Sequence, residues 1–196
     1  MPAPPTLARH FAIEAYNNAW ANHRLLRACG ELTQAEFAER RTSFFPSIKA
    51  TLNHVLTVDW YYLEALERSH AGRPPDENPQ RFFEPEEPFD TCAALAREQR
   101  AADRRFIALC ESLADRDLDS DVLMPRRAGV VRDRLHRIVA HLLQHDIHHR
   151  GQVHAMLAGT RAKPPQLDEF YCSGEENLRA ADFAELGFTE EAIWNR

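Results

Sequence analysis

Histidine is concentrated in one short segment of this chain, and its spacing there permits metal coordination. Six of the ten histidines lie in the run HRIVAHLLQHDIHHRGQVH, which spans residues 136–154. On an α-helix, residues four positions apart share a face and lie about 6 Å apart along the axis, so two imidazoles can converge on one ion. His141 with His145, and His145 with His149, have this spacing. Imidazole is a common ligand of zinc, nickel, copper and iron(II).

The helical wheel of this segment favours one of the two pairs. His149 falls inside the apolar arc that contains Leu135, and His145 falls at the edge of that arc. The other four histidines of the segment point toward solvent or toward flanking elements. They are His136, His141, His148 and His154. Polar groups on the buried side of a helix are costly unless they are paired or ligated. His145 and His149 are therefore the predicted centre of a metal site.

A third ligand has to come from another helix, and two residues compete for that place. His54 lies on the flank of the apolar arc of the second predicted helix, whereas Asp59 lies nearer its centre. A site with three protein ligands leaves open positions for water or substrate. If His54 is the third ligand, the carboxylate of Asp59 can still orient a ligating imidazole. Asp146, Arg150 and His141 are candidates for supporting roles only. Asp146 and Arg150 also have the spacing of a helix ion pair.

Four amphipathic helices are predicted to position these residues. They run over about residues 6–29, 46–70, 91–113 and 130–157. Residues 72–90 separate the second helix from the third, and five prolines there remove backbone donors and favour an extended chain. The predicted fold class is all-α, a four-helix bundle with a long crossover between helices 2 and 3. We assign residues 1–160 to this metal-binding bundle and residues 161–196 to a short C-terminal appendage that packs on it.

Composition excludes several classes of protein. The length of 196 residues is enough for one sizeable core. Acidic residues outnumber basic ones by 30 to 24, and no stripe of Lys and Arg follows a phosphate backbone, so nucleic acid is not an expected partner. The apolar stretches are shorter than the roughly 20 residues that cross a bilayer, and no secretion signal is recognisable. The four cysteines are far apart and are predicted to be reduced. We expect a cytoplasmic protein without membrane contact.

Three segments differ from generic bundle sequence. They are YNNAWANHRLL at 16–26, SIKATLNHVLTVDWYYL at 47–63 and HLLQHDIHHRGQVHAML at 141–157. On these segments the chain resembles the DinB/YfiT-like family of metalloenzymes. The resemblance implies an up-down-down-up four-helix bundle, often dimeric, with one divalent metal ion, commonly zinc or nickel, held by three histidines. The family's ligand positions match His54, His145 and His149 here, which favours His54 over Asp59. A role for His23 as a fourth ligand stays open.

The resemblance implies a metal-dependent enzyme, either a thiol-dependent transferase or a hydrolase. Its expected partners are a small-molecule substrate of unknown identity, a low-molecular-weight thiol and a second copy of the chain as a homodimer. No residue is assigned as catalytic. One alternative is a non-catalytic, stress-responsive bundle whose metal ion is structural or buffered. Another is a pH-sensitive interaction surface without metal, since histidines titrate near neutrality; the inward placement of His145 and His149 speaks against it.

Overall fold

The structure is a computed structural model that describes residues 6–194. Within that range the chain is mostly helical and carries one two-stranded sheet. The helices are α1 (Leu7–Cys29), α2 (Gln34–Ala38), α3 (Ile48–His70), α4 (Cys92–Ser112), α5 (Leu135–Leu157), α6 (Glu176–Leu186) and α7 (Glu190–Trp194). The strands are β1 (Asp121–Arg126) and β2 (Gly129–Arg134).

Three of the four long helices, α1, α3 and α4, begin at hydroxyl side chains that cap them. Ser47 precedes α3, and its Oγ accepts a hydrogen bond of 3.0 Å from the backbone N–H of Ala50. Thr6 and Thr91 cap α1 and α4 in the same way. Such caps satisfy amide groups that the first turn of a helix leaves unpaired. The first three helices predicted from periodicity therefore agree with α1, α3 and α4 to within about two residues.

The prediction of an all-α fold is confirmed only in part: the chain is mostly helical, but residues 121–134 form an antiparallel hairpin that was not predicted. Asp121 pairs with Arg134 and Arg126 pairs with Gly129. Gly129 has a φ of 122°, a conformation that L side chains rarely adopt. The helix predicted to begin near Val130 begins at Leu135 instead, because Val130 and its neighbour are β-branched residues, which favour a strand.

The four long helices pack as two layers. In the described part of the chain, α1 contacts α4 and α5, and α3 contacts the same two helices. Gln99 donates a hydrogen bond of 2.6 Å to Asp59, and Arg105 donates one of 2.8 Å to Glu67. These pairs follow the same order along α3 and α4, so the two helices run in the same direction. The proline-rich segment between them supplies the length that a parallel connection needs.

The segment after residue 160 packs on the outer side of α1. Phe170 lies against the fully buried Trp20, with ring centroids 5.7 Å apart. Arg24 of α1 donates hydrogen bonds to Glu169 and to Asp182. The division of the chain into two units at residue 160 stays a prediction. Over residues 6–194, none of the helices combines the length and the apolar character needed to cross a bilayer.

Candidate metal centre

Three histidines from two helices form one cluster. His54 lies on α3, and His145 and His149 lie one turn apart on α5. One ring nitrogen from each lies within 4.8 Å of the others, so the group could hold a metal ion. The Nε2 atoms of His54 and His145 are 3.1 Å apart. Two nitrogens bound to one zinc ion at about 2.0–2.1 Å in a tetrahedral site are about 3.3 Å apart. The closer pair therefore already has the spacing of two metal ligands.

The orientation of His149 is set by a neighbour on the same helix. Its Nδ1 lies 2.9 Å from Oε1 of Gln152, an acceptor, so Nδ1 carries the proton and Nε2 keeps its lone pair. The amide nitrogen of Gln152 in turn lies 3.0 Å from Nε2 of His148. Metal-ligating histidines are commonly held by such a bond from the second ring nitrogen. The contact predisposes His149 to bind an ion through Nε2.

His145 lacks an equivalent contact but has a carboxylate beside it. Its Nδ1 lies 3.6 Å from Oδ1 of Asp146, and both atoms are buried without a hydrogen-bond partner among the described residues. Buried polar atoms are rarely left unpaired. An ion bound at Nε2 would make the Nδ1–H of His145 more acidic and would strengthen its attraction to Asp146. The unpaired atoms therefore fit a site that holds a cation.

Burial keeps two of the imidazoles neutral. Desolvation, and then the proximity of His145 and His149, lower the pKa of His54 to about 4. Desolvation also lowers the pKa of His149, although its hydrogen bond to Gln152 opposes the shift. Metal ions bind the neutral form of histidine. These two histidines are therefore in the ligating form at neutral pH.

An open cavity adjoins the cluster on the α3 side. It has a volume of about 740 Å³, and His54 forms part of its wall. The ring of Phe45 covers the cluster, with its centroid 4.3 Å from that of His54 and 5.6 Å from that of His149. Arg126 and Arg127, at the turn of the hairpin, line the opposite side. These three residues were not predicted from the sequence, because the hairpin was not foreseen and no periodicity places Phe45.

The other histidines lie outside the cluster. His141 and His148 are exposed on α5, and the ring of His141 packs against Tyr62 at 5.0 Å. His154 lies 2.9 Å from the backbone oxygen of Pro165. His23 contacts Arg100 on the opposite side of α1, away from the three histidines. The structure therefore brings together the three predicted ligands and leaves His23 outside the group.

Asp59 belongs to a buried polar network beneath the cluster. Its Oδ2 accepts the hydrogen bond from Gln99, which also donates to Asp103 at 3.2 Å. Burial and the nearby Asp146 raise the pKa of Asp59 well above its usual range. Arg150 supplies a positive charge to this network and donates hydrogen bonds to Asn18 and Asn22. The Nη1 of Arg150 is 3.9 Å from Oδ2 of Asp146, so the predicted ion pair is long.

The network makes stability depend on pH through Asp103. Desolvation raises the pKa of this carboxyl to about 7, although hydrogen bonds from Asn22 and Gln99 oppose the shift. In the unfolded chain its pKa is about 3.9. Between these values the folded protein holds a proton that the unfolded chain has released, so this group lowers stability as pH rises. We expect the free energy of unfolding of Asp103→Asn, relative to that of wild type, to increase by about 2–3 kcal/mol when the pH rises from 5 to 8.

Urea unfolding of both proteins at the two pH values measures this difference. Asp119→Asn is the matched control, because the Asp119 side chain is 90% exposed. An equal stability difference between Asp103→Asn and wild type at both pH values would show that Asp103 is ionised throughout.

The fold and cluster define a helical protein with a three-histidine group that could hold a metal ion. The model of the DinB family matches residues 11–178, and the chain belongs to that family. Protein DinB of Bacillus subtilis (strain 168) is 25% identical over 162 residues, which cover 79% of this chain and 90% of that protein.

Proposed function

We propose that the protein binds one divalent transition metal ion, zinc or nickel, through His54, His145 and His149. The observation that carries this proposal is the convergence of three ring nitrogens within 4.8 Å, two of them 3.1 Å apart. Nitrogen ligands of this kind suit both metals, and availability decides between them. The buried carboxylate of Asp146 beside His145 balances part of the added charge.

We further propose that the site is catalytic and acts on a small molecule. Three protein ligands leave a position open, whereas structural zinc sites are closed by four. The large cavity at His54 gives a substrate access to that position. A divalent ion held there would act as a Lewis acid and favour the deprotonated form of a water molecule or a thiol. The reaction class is thiol-dependent transfer or hydrolysis.

In this proposal Phe45, Arg126 and Arg127, which line the cavity, each have a role. Phe45 restricts water at the cluster, because its ring lies against two of the ligands. Arg126 lies over the rings of Tyr61 and Tyr62 and donates a hydrogen bond of 2.9 Å to the Tyr62 hydroxyl. We propose that its guanidinium and that of Arg127, which line the cavity together with Glu84, Glu86 and Glu87, hold an anionic group of a small thiol.

Cobalt(II) substitution tests whether the site has an open position. Cobalt absorbs visible light with a spectrum that depends on its ligands, and a bound thiolate adds a charge-transfer band in the near ultraviolet. We expect titration of the cobalt protein with N-acetylcysteine to produce that band and to saturate. The cobalt form of Arg126→Gln should need a higher concentration of N-acetylcysteine to reach half of the full band intensity. A spectrum unchanged by thiol and by azide, with unfolding on chelation, would instead support a structural or buffering site.

Gln152 provides a test of how the ligands are oriented. Gln152→Leu removes the acceptor of the His149 Nδ1–H, and loss of such a contact typically lowers metal affinity by about 10- to 100-fold. Gln152→Glu keeps an oxygen at that position and should retain the affinity. Competition for zinc with a chromophoric chelator measures both variants. Equal affinities for Gln152→Leu and wild type would show that this contact does not orient His149.

We also propose an up-down-down-up bundle that forms a homodimer in the cytoplasm. The order of contacts supports the topology, since α3 and α4 run in the same direction. Along α1 and α4 the order is reversed, because Asn22 pairs with Asp103 and Tyr16 pairs with Glu111. Sedimentation equilibrium tests the dimer and would give twice the chain mass of 22.5 kDa.

A further inference from the structure

A second cavity lies between α1, α4 and the C-terminal segment. Its volume is about 550 Å³, within the range of small-molecule sites. It shares no lining residue with the cavity beside the histidine cluster. Large apolar side chains form much of its wall, namely Leu26, Leu32, Phe37, Ile107, Leu186 and Phe188. Such walls favour a hydrocarbon group over a polar one.

One side of this cavity carries positive charge that the protein does not neutralise. Arg100 and Arg104 lie one turn apart on α4, and both are exposed. Among the described residues, neither lies within 4.0 Å of a carboxylate, and the contact of Arg100 is with His23 Nδ1 at 3.3 Å. Arg27 differs, because it is 2.7 Å from Asp182. Two adjacent guanidinium groups without a carboxylate partner are suited to an anionic ligand.

The inner wall carries one imidazole and two carboxyl groups. His23 is 9% exposed, and its Nε2 makes no hydrogen bond within residues 6–194, although Glu185 Oε2 lies 3.1 Å away. Asp103 also lines the cavity and is buried. Its Oδ1 already accepts hydrogen bonds from Asn22 and Gln99. Glu185, which also lines the cavity, thus lies beside the imidazole, and the charge available to an anionic ligand is that of Arg100 and Arg104.

We propose that this cavity is a second ligand site, which binds an amphipathic monocarboxylate. The hydrocarbon chain lies among the apolar side chains, and the carboxylate pairs with Arg100 and Arg104. A neutral lipid would leave both guanidinium groups unpaired, and a sugar would place polar hydroxyl groups against apolar walls. The cavity therefore fits an amphipathic monocarboxylate better than either. The site is independent of the metal centre and does not rest on the proposed metal chemistry.

Calorimetric titration of the purified full-length protein tests the proposal, with decanoate, octanoate and decanol as probes. Each buried methylene contributes about fourfold in affinity, so decanoate, with two more methylenes, should bind about 15-fold more tightly than octanoate. Decanoate should bind at least tenfold more tightly than decanol, since the alcohol lacks the charge. The double variant Arg100→Gln, Arg104→Gln should remove most of the preference for decanoate over decanol.

Two further variants separate this cavity from other surfaces. Ala96→Trp fills the cavity from α4 and should abolish binding of all three probes. Arg97→Gln, on the same helix but outside the cavity, should change nothing, since that side chain is 70% exposed. His54→Ala should leave decanoate binding unchanged and thereby separates this site from the metal centre. Absence of decanoate binding to wild type, or equal binding to wild type and the double arginine variant, would overturn the proposal.

Discussion

Replacing Arg150 with methionine is expected to lower the free energy of unfolding by about 3–5 kcal/mol. The Arg150 side chain is buried and donates hydrogen bonds to Asn18 and Asn22. Its positive charge lies near the buried Asp146 and near the buried Asp103, which with a pKa of about 7 is about half ionised at neutral pH. Methionine fills a similar volume but leaves these carboxylates without the cation. The carboxylates must then take up protons or admit water, and either change costs free energy.

Urea unfolding followed by circular dichroism measures this loss. Arg137→Met is the matched control, because Arg137 lies on the same helix with its side chain 67% exposed. We expect that variant to stay within about 0.5 kcal/mol of wild type. A loss below about 1 kcal/mol for Arg150→Met would mean that the network does not depend on this charge.

Replacing His54 with alanine is expected to lower zinc affinity by more than 100-fold. Loss of a contact that only orients a ligand costs about 10- to 100-fold, so loss of one ligand of three should cost more. The Nε2 of His54 lies 3.1 Å from that of His145, so both nitrogens approach the proposed metal position. In that variant only His145 and His149 of α5 would remain as zinc ligands. Competition with a chromophoric chelator at neutral pH measures the change.

His141→Ala is the control for that experiment. His141 lies one turn before His145 with ring centroids 6.2 Å apart, but it is exposed and lies outside the cluster. Its removal should change zinc affinity by less than tenfold. If His141→Ala and His54→Ala weakened binding equally, the site would lie on α5 alone, and α3 would contribute no ligand.

Helical periodicity made the pair on α5 predictable. An interval of four residues places His145 and His149 on one face, and the apolar residues of α5 indicate which face is buried. The long connection before α4 was predictable as well, because its prolines disfavour a long α-helix, and only a short 3-10 helix forms there, at Pro79–Phe82. These inferences need only local geometry.

The choice between His54 and Asp59 required the packing of helices. The centre of the apolar arc on α3 faces the middle of the bundle, where Asp59 meets Gln99 of α4. The flank of that arc faces α5, and His54 lies there beside His145. A helical wheel gives the direction of a side chain relative to its own axis but not the identity of the neighbouring helix. The family resemblance supplied that missing information.

The hairpin and the residues around the cluster show the limits of local patterns. Val130 and Val131 lie in β2, and Arg132, Asp133 and Arg134 separate them from Leu135, where α5 begins, so their apolar character does not assign them to the helix. Phe45 reaches the cluster from the connection before α3, and its place depends on tertiary contacts. Gln152 carries no sequence signal beyond its interval of three residues from His149.

Anomalous X-ray scattering at the zinc edge, from crystals grown with zinc, tests the proposed metal centre most directly. The account predicts one strong peak at about 2.0–2.1 Å from a ring nitrogen of each of His54, His145 and His149. A well-ordered cluster without a peak, or a peak held by His141 or His148 instead, would contradict it.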